Sequence, residues 1–428
     1  MTYKWNYDVL IIGAGLAGYT AAHFTAKSNL SVMLLEKSRT TGGRAKTNIM
    51  NGHYFNLGPH AVYRKGVGYA ILEQLGIRVS GQSPKLDGEL YDNGSTHAAP
   101  FYLGGMLSTT YLNWKQRLEW LNAVWHIFRF VPEHAADQTY QQWIEKHAHS
   151  EKVRHLLRSL GRLATYCHAP ELVSAKTTLS HIKQALGGVL YLDGGWQSMI
   201  DQLHNRAVML GVEVKAGNGV KQIEPLAGGG FRIVLTDGEE LLTKTVIYTA
   251  GPQELLGMLG DHALPVQQSF FSRIIPVKGA VLDVALSQLP RPQRLFAIGT
   301  EEPYYYSVHS NYARLSDNRN AVILHVQKYL HPADQADPKH VKTELEHVLE
   351  QLQPGWKSYK LAWRFMPHVT VNQRLPKAGD NEELKQALTA MPGLYLAGDW
   401  SSPDYMLLDG ALSSAKAAAE RLISQFER

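Results

Sequence analysis

The stretch DVLIIGAGLAGYTAAHFTAKSNLSVMLLEKSRTTGGR, residues 8–44, decides the fold of this 428-residue chain. Its first apolar run, residues 9–12, predicts a parallel strand that is buried on both faces. Gly13, Gly15 and Gly18 follow as G-x-G-x-x-G. The first glycine permits a tight turn, the second lets the backbone approach a pyrophosphate, and the third lets the next helix pack on the strand. The pattern predicts a βαβ unit that binds a dinucleotide.

Glu36 closes the second β-rich run of this unit. It lies where such units place the carboxylate that accepts hydrogen bonds from the adenosine ribose. A carboxylate at this point disfavours a 2′-phosphate, so the unit favours FAD or NAD over NADP. These residues alone do not choose between FAD and NAD.

The composition, with 44% hydrophobic and 19% charged residues, is typical of a globular protein, and the length suggests two or three domains. A net charge of +5 gives no reason to expect a nucleic acid partner. None of the 19 histidines falls in a cluster with metal-ligand spacing, so no metal site is predicted. The only cysteine, Cys167, is compatible with a reducing compartment. Since we find neither a secretory signal nor a transmembrane segment, we expect a cytoplasmic protein.

Two further motifs follow the dinucleotide unit: GGR at residues 42–44 and YFNLGPH at residues 54–60. Glycines permit backbone paths that other residues resist, and arginine is suited to a phosphate. In this order the motifs resemble the start of the flavin-containing amine oxidase superfamily, which includes phytoene desaturase-like and protoporphyrinogen oxidase-like enzymes. The resemblance implies that Gly43 and Arg44, in the GGR segment, contact the FAD pyrophosphate. It also implies that the segment with Gly58 and Pro59 passes beside the isoalloxazine ring.

The C-terminal region resembles the closing signature of the same superfamily. It consists of the run MPGLYLAGDW, residues 391–400, and the start of a small-residue helix, LLDGA, at residues 407–411. A helix N-terminus beside flavin N1 stabilises the negative charge of the reduced ring. The resemblance implies FAD as the cofactor, with contacts from Gly398, Asp399, Asp409, Gly410 and Ala411.

Residues 211–223 resemble the second FAD-binding region of the family. In that region the residue matching Val220 contacts the adenine through its backbone. An ordinary αβ turn followed by a hairpin explains the same residues nearly as well.

We therefore predict an α/β protein with a discontinuous, Rossmann-like FAD-binding domain of the GR2 type, formed by residues 1–75, 190–260 and 366–428. An α+β substrate-binding domain is expected from the two excursions between these segments. It would contain a mostly antiparallel sheet and a helical part, residues 111–189, within residues 76–189 and 261–365.

Residues 111–131 are strongly helical in pattern, with an apolar stripe formed by Leu118, Leu121, Trp125 and Phe128. Two interpretations stay open. We favour a core helix of the substrate domain. The alternative is a peripheral membrane contact through which a lipid-like substrate enters, since the aromatic residues and the bordering Lys115, Arg117 and Arg129 suit a bilayer interface.

The resemblance implies dehydrogenation by flavin: C–C desaturation, C–N oxidation or porphyrinogen-type oxidation. Many amine oxidases have an aromatic cage residue two positions before the acid of the closing signature, where this chain has Leu407. Leu407 therefore favours a bulky, mainly apolar substrate over a simple amine. Other candidate pocket residues are Tyr305, Trp400 and Tyr405, of which the last two could still supply a ring.

His60 is the candidate for a proton-handling group, although a structural histidine is an equal alternative. Lys278 could resemble the lysine that many amine oxidases place near flavin N5, and a surface lysine is its default interpretation. The electron acceptor is not identified, with molecular oxygen and a quinone as candidates. The alternatives to a desaturase or oxidase of an apolar molecule are an amine oxidase and a flavin-binding carrier or assembly factor without turnover.

Overall fold

A computed structural model describes residues 4–85, 87–135, 137–335 and 337–427. Its strands, in chain order, are β1 (Tyr7–Ile12), β2 (Val32–Glu36), β3 (Thr47–Met50), β4 (His53–Asn56), β5 (Val62–Tyr63), β6 (Gly81–Gln82), β7 (Glu89–Asp92), β8 (Ser95–Ala98), β9 (Val189–Leu192), β10 (Glu213–Ala216), β11 (Val220–Pro225), β12 (Phe231–Leu235), β13 (Glu240–Tyr248), β14 (Val277–Leu286), β15 (Phe296–Gly299), β16 (Tyr304–Val308), β17 (Val322–Leu330), β18 (Lys360–Asn372) and β19 (Leu394–Leu396). Its α-helices are α1 (Leu16–Ala26), α2 (Val67–Gln74), α3 (Leu103–Ser108), α4 (Trp114–Phe128), α5 (Tyr140–His147), α6 (Glu151–Thr165), α7 (Ala175–Leu186), α8 (Gln197–Met209), α9 (Pro252–Leu259), α10 (Pro265–Ser272), α11 (Pro338–Leu352), α12 (Asn381–Thr389) and α13 (Leu407–Phe426).

The first large sheet has the order β10-β2-β1-β13-β12-β11, with β19 paired to the end of β13. The pairs β10 with β2, β2 with β1, β1 with β13 and β13 with β19 are parallel. Strand β12 is antiparallel to both of its neighbours, β11 and β13. Residues 9–12 are buried in the middle of this sheet, as predicted for a parallel strand covered on both faces. Helices α1, α2, α8 and α13 pack on one face, and α9, α10 and α12 pack on the other.

The second large sheet has the order β18-β14-β17-β16-β15-β7-β8. Its pairs are antiparallel except for β15 with β7. The predicted antiparallel sheet within residues 261–365 is confirmed, but the sheet also contains the β7–β8 hairpin and the whole of β18. The predicted domain boundary at residues 365–366 falls inside β18, which continues to Asn372. The division into two domains stays a prediction.

The region predicted to be helical contains α4 to α7, and its apolar residues on α5 and α6 are buried as expected. The favoured interpretation of α4 as a core helix through its Leu118 stripe is wrong. Leu118, Leu121, Trp125 and Phe128 are all at least half exposed. The helix packs on the protein through its opposite side, where Trp120, Ala123 and Ile127 are buried.

Candidate active site

A cavity of about 470 Å³ lies between the two large sheets. Its walls come from the turn between β1 and α1, the end of β2, residues 42–46 and 57–61, and residues 249–251. Strands β14, β17 and β18, the Gly398-Asp399 pair and the start of α13 complete it. The cavity therefore joins the predicted dinucleotide unit to the second sheet and to the C-terminal signature.

The glycines of the first turn are required by close packing. Gly13 has φ +104, and a Cβ there would lie 2.6 Å from Thr249 Oγ1. A Cβ on Gly18 would lie 1.8 Å from the carbonyl oxygen of Gly13, so only glycine lets α1 approach β1 this closely. Gly15 lines the cavity, and a Cβ there would meet only the Gly42 carbonyl, at 3.8 Å. The turn and the packing thus agree with the steric roles predicted from the motif.

Glu36 lies at the end of β2 and lines the cavity. One carboxylate oxygen accepts the backbone N–H of Ala14 at 3.0 Å, and the other accepts that of Ser38 at 2.8 Å. These two bonds fix the carboxylate beside the glycine turn. Each carboxylate oxygen keeps a second lone pair that can accept a hydrogen bond from a hydroxyl group, such as those of a ribose.

Arg44 and Asp399 face each other across the cavity wall. The guanidinium donates to the two carboxylate oxygens at 2.5 and 2.7 Å, and it also donates to the carbonyl of Val371 at 3.1 Å. Asp399 accepts a further bond from the backbone N–H of Gln373 at 3.1 Å. The GGR motif and the C-terminal signature are therefore one structural unit.

Helix α13 begins at the cavity. Leu407 has φ +55, an unusual conformation for leucine, and its N–H donates to Asn372 Oδ1 at 2.7 Å. Leu407, Leu408 and Ala411 line the cavity, so the first turn of α13 borders it. The unpaired N–H groups of a first helical turn attract negative charge, as predicted for this signature.

Asp409 corrects the prediction of a direct contact at the flavin edge. Its side chain is buried away from the cavity lining and accepts the backbone N–H of Gly68 at 2.9 Å, at the start of α2. Burial raises the pKa of Asp409 to about 6. The neighbouring Gly410 is required because a Cβ there would lie 2.7 Å from the Tyr405 carbonyl oxygen. Both residues hold the start of α13 in place.

The candidate substrate residues separate into different parts of the structure. Leu407 lines the cavity, whereas Trp400, Tyr405 and Tyr305 do not. Trp400 is fully buried in the core, where its Nε1–H donates to the Ala250 carbonyl and its ring meets Phe271 edge-on. The predicted role of Trp400 as a pocket wall is therefore wrong.

Lys278 is exposed and does not line the cavity. Successive side chains of a strand point to opposite faces, and Val281 of the same strand lines the cavity. Lys278, three positions away, therefore points to the other side of the sheet. The prediction that it approaches the flavin is wrong. Val220 begins β11 and lies outside the cavity lining, so its backbone contact stays a prediction.

His60 and Pro59 line the cavity, whereas Gly58, which precedes them in the chain, does not. Nδ1 of His60 donates to the Gly58 carbonyl at 2.9 Å, and the ring packs edge-on against Trp196 with centroids 4.6 Å apart. Burial lowers the pKa of His60 to about 4, so its imidazole is neutral at pH 7. Gly58 has φ +91, and a Cβ there would lie 3.3 Å from Val281.

Tyr166 is a cavity residue that sequence reasoning missed. It ends α6 with φ +59, and its hydroxyl donates to the Pro59 carbonyl at 3.0 Å. A bulky residue with positive φ is rare and clusters at functional sites. No sequence pattern marks it, because its place depends on the packing of α6 against residues 57–61.

A buried polar cluster on the cavity side of the second sheet was also missed. Asp283 on β14 accepts hydrogen bonds from Nδ1 of His325 on β17, at 2.5 Å, and from Nε of Arg364 on β18, at 2.7 Å. Asp283 and His325 are fully buried. The signal in the sequence is an acid and a histidine inside the apolar runs VKGAVLDVAL and AVILHVQKYL.

The cluster extends to β16 and β9. The His309 ring meets that of His325 edge-on at 4.4 Å and stacks on Tyr191 at 3.8 Å. The Tyr305 hydroxyl lies 3.2 Å from His309 Nε2, so Tyr305 belongs to this buried cluster. Tyr306 points to the opposite face, where its hydroxyl donates to the Arg294 carbonyl at 2.9 Å. Tyr305 and Tyr306 thus point to opposite faces of the sheet, as successive strand residues do.

Within the described parts of the chain, no group of three or more His, Cys, Asp or Glu side chains could hold a metal ion. The donor set instead fits a dinucleotide flavin. A fixed carboxylate, glycines that leave room for a pyrophosphate, and a helix N-terminus occur along one cavity. This combination is typical of the dinucleotide-binding sites of the flavoprotein class.

Comparisons with known proteins agree with this class. The family model of the flavin containing amine oxidoreductases matches residues 14–423. A hydroxyneurosporene desaturase from Rubrivivax gelatinosus is 23% identical over 310 residues, which cover 60% of this chain and 56% of the desaturase. The chain thus spans about half the length of the curated relatives it matches.

Two solved structures show the same fold. An oxidoreductase from Methanosarcina mazei superposes with a TM-score of 0.78 at 18% identity, covering 96% of this chain and 99% of the other. Cyclohexylamine oxidase from Brevibacterium oxydans IH-35A superposes with a TM-score of 0.77 at 16% identity, covering 99% and 100%. The chain belongs to the flavin containing amine oxidoreductase family, as its motifs predicted.

Proposed function

We propose that this protein removes a hydride equivalent from a bulky, mainly apolar small molecule, in a desaturase or oxidase reaction. The observation that carries the proposal is a group of aliphatic residues in the cavity lining. They come from residues 57–61, β14, β18 and α13: Leu57, Val281, Val369, Val371, Leu407 and Leu408. These aliphatic residues favour an apolar substrate because they offer it contacts without hydrogen bonds.

The relatives support this substrate class. The matching desaturase from Rubrivivax gelatinosus acts on hydroxyneurosporene, as its name states. Bound FAD supplies the two-electron acceptor at its N5. The residues around the flavin bind the substrate, orient it and exclude water. Because the flavin accepts the hydride equivalent, we assign no protein nucleophile to the reaction.

We assign the FAD contacts to residues that line the cavity. Glu36 binds the adenosine ribose, and the N-terminus of α1 with Gly13 and Gly15 binds the pyrophosphate. Gly43, Arg44, Gly398 and Asp399 continue the site, and Ala411 faces the flavin edge at the start of α13. Gly18, Gly58, Asp409 and Gly410 act indirectly, because they permit or hold these conformations.

An amine oxidase is the second candidate, which the name of the family favours. Many amine oxidases bind the amine in an aromatic cage, but this chain has Leu407 where one of the aromatic residues is expected. Neither Trp400 nor Tyr405 lines the cavity. Among the described residues, Tyr166 and Trp196 are the Phe, Tyr or Trp residues that line the cavity. A carrier or assembly factor without turnover is the third candidate.

Anaerobic reduction of the bound flavin tests the proposal. The purified, FAD-loaded protein would be mixed with three classes of compound: a polyene hydrocarbon dispersed in detergent, a porphyrinogen, and aliphatic and aromatic amines. We expect an apolar compound to bleach the visible flavin absorbance, and amines to leave it unchanged. Reduction by amines alone would establish the second candidate, and a flavin that none of these classes reduces would favour the carrier.

The same preparation identifies the electron acceptor. After reduction, the return of the flavin absorbance would be followed on admission of molecular oxygen or of a soluble quinone. The faster reagent defines the acceptor class. A preparation that contains NAD and no flavin would contradict the assigned cofactor contacts.

A further inference from the structure

Helices α3 and α4 expose a continuous apolar surface. We call it the α3–α4 face and define it by its large exposed side chains: Leu103, Leu107, Trp114, Leu118, Leu121, Trp125 and Phe128. Leu103 is 76% exposed, Leu107 70% and Trp114 68%. Single exposed apolar residues are common, whereas a contiguous apolar surface marks an interaction site.

The α4 part of this face is one stripe. Positions 114, 118, 121, 125 and 128 are spaced by four and three residues, so their side chains lie along one side of the helix. The opposite side is anchored by Trp120, whose Nε1–H donates to the Pro100 carbonyl at 2.9 Å. The stripe therefore points away from the protein.

Arg117 joins α3 to α4. Its guanidinium donates to the carbonyl of Thr109 at 2.6 Å and to that of Leu107 at 3.3 Å, and its Nε donates to the Leu112 carbonyl at 3.3 Å. These bonds hold the end of α3 beside the first turn of α4. The leucines of α3 and the stripe of α4 thus form one surface with a fixed shape.

The charges around the stripe are basic. The Lys115 ammonium lies 5.6 Å from the Trp114 ring centroid, and the Arg129 guanidinium lies 4.8 Å from that of Trp125. Each end of the stripe therefore pairs an indole ring with a cation. This pairing suits the boundary between lipid headgroups and acyl chains, where indole rings and snorkelling cations are enriched.

The single acid of α4, Glu119, is turned to the protein. Its carboxylate accepts the backbone N–H groups of His149 and Ser150, which lowers its pKa below the usual range. It does not offset Lys115 and Arg129 at the exposed stripe. The α3–α4 face therefore combines apolar side chains with a positive border.

We propose that the α3–α4 face binds the surface of a bilayer that contains anionic phospholipids, with α4 lying in the plane of the interface. A second copy of the chain fits this face less well. Two-fold antiparallel pairing of α4 with itself would place Lys115 of each copy near Arg129 of the other, bringing like charges together. No helix among the described residues is long and apolar enough to cross a membrane, so the contact is peripheral.

Co-sedimentation with vesicles tests this proposal, and it needs no turnover, so it is independent of the proposed reaction. The FAD-loaded full chain would be mixed with vesicles of phosphatidylcholine, or of phosphatidylcholine with phosphatidylglycerol. We expect binding to the mixed vesicles that weakens as salt is added, and a blue shift of tryptophan emission on binding. Absence of binding to either vesicle would overturn the proposal.

Matched variants locate the contact. Leu118→Ser combined with Leu121→Ser is expected to lower vesicle partitioning about tenfold or more, because two leucine side chains no longer enter the interface. The control is Val208→Ser with Met209→Ser, which removes two exposed apolar side chains from the end of α8. The control should bind as the wild type does. A retained flavin spectrum shows that each variant is folded.

Charge reversal separates the remaining outcomes. Lys115→Glu with Arg129→Glu is expected to abolish the preference for phosphatidylglycerol. Equal binding by this variant and the wild type would overturn the assignment of anionic headgroups. If sedimentation velocity instead shows a dimer that the leucine variant disrupts, with no vesicle binding, the face joins two copies of the chain and the proposal is wrong.

Discussion

Arg44 and Asp399 are 355 positions apart in the chain, yet the guanidinium of one and the carboxylate of the other form two hydrogen bonds, of 2.5 and 2.7 Å. The Asp399 side chain is only 2% exposed, whereas that of Arg44 is 38% exposed. This pair fastens the GGR motif to the C-terminal signature, so both motifs reach the cavity only in the folded chain.

Substituting Arg44 with alanine should destabilise the fold, because it leaves the buried Asp399 carboxylate without its cationic partner. We expect the free energy of unfolding to fall by about 3 kcal/mol, measured in urea at a fixed saturating FAD concentration. The control is Arg273→Ala, which breaks an exposed pair with Glu383 and should cost less than about 1 kcal/mol. Equal losses in the two variants would contradict the structural role of the Arg44 pair.

Glu36 provides a test of the assigned cofactor contact. Glu36→Ala removes the carboxylate that is fixed by the N–H groups of Ala14 and Ser38. We expect the dissociation constant of FAD to rise about tenfold or more, since hydrogen bonds to a charged acceptor are lost. Equilibrium dialysis followed by flavin absorbance measures it.

A control for this variant is Glu254→Ala, which removes another cavity-lining carboxylate, one whose partner is the exposed Lys37. We expect a smaller change in FAD affinity for Glu254→Ala than for Glu36→Ala. Unchanged affinity in Glu36→Ala would show that this carboxylate does not bind the cofactor.

The sequence predicted the features that depend on local patterns. The buried strand at residues 9–12 and the turn at Gly13 follow from a run of apolar residues and from steric limits on the backbone. The close approach at Gly18 follows in the same way, because any side chain there would strike the preceding turn. Family resemblance supplied the pairing of both chain ends at one cavity.

The sequence could not show which side of α4 is covered. The helix has two apolar sides, one with Trp120 and Ile127 and one with Leu118 and Trp125. Periodicity identifies both sides, but burial depends on where α6 and α7 lie. The choice was wrong because the broader stripe faces outward.

The buried cluster was missed for a related reason. Asp283, His325 and Arg364 come from three strands, and their contact depends on strand register. Register is set by pairing across the sheet, which a single strand sequence does not specify. The unusual placement of charged residues in apolar strands was the available signal.

His60 and Lys278, the two catalytic candidates, lead to opposite expectations. His60 lines the cavity, so His60→Gln should lower the rate constant of anaerobic flavin reduction about tenfold or more. Lys278→Met should leave that rate unchanged, because Lys278 is exposed on the other face of the sheet. Stopped-flow absorbance with the same apolar substrate measures both. If His60→Gln reduces as fast as the wild type, His60 is a structural histidine.

His181 is a buried histidine whose protonation should loosen the start of α13. Its Nε2 accepts the N–H of Met406 at 2.9 Å, directly before Leu407 of the cavity wall. Burial lowers the pKa of His181 from 6.5 to about 4. An unprotonated Nε2 is required to accept this hydrogen bond.

The direction of the pH effect follows from that pKa. Between pH 6.5 and pH 4 the unfolded chain binds a proton at His181 that the folded protein does not, so stability falls as the pH decreases through this range. Its full contribution, on the order of 3 kcal/mol, is present above pH 6.5. His181→Gln keeps an acceptor near Met406 but does not titrate, so its stability should depend less on pH between 6.5 and 4. Urea unfolding of the two proteins at several pH values measures the difference, and parallel curves would show that His181 does not contribute to the acid sensitivity.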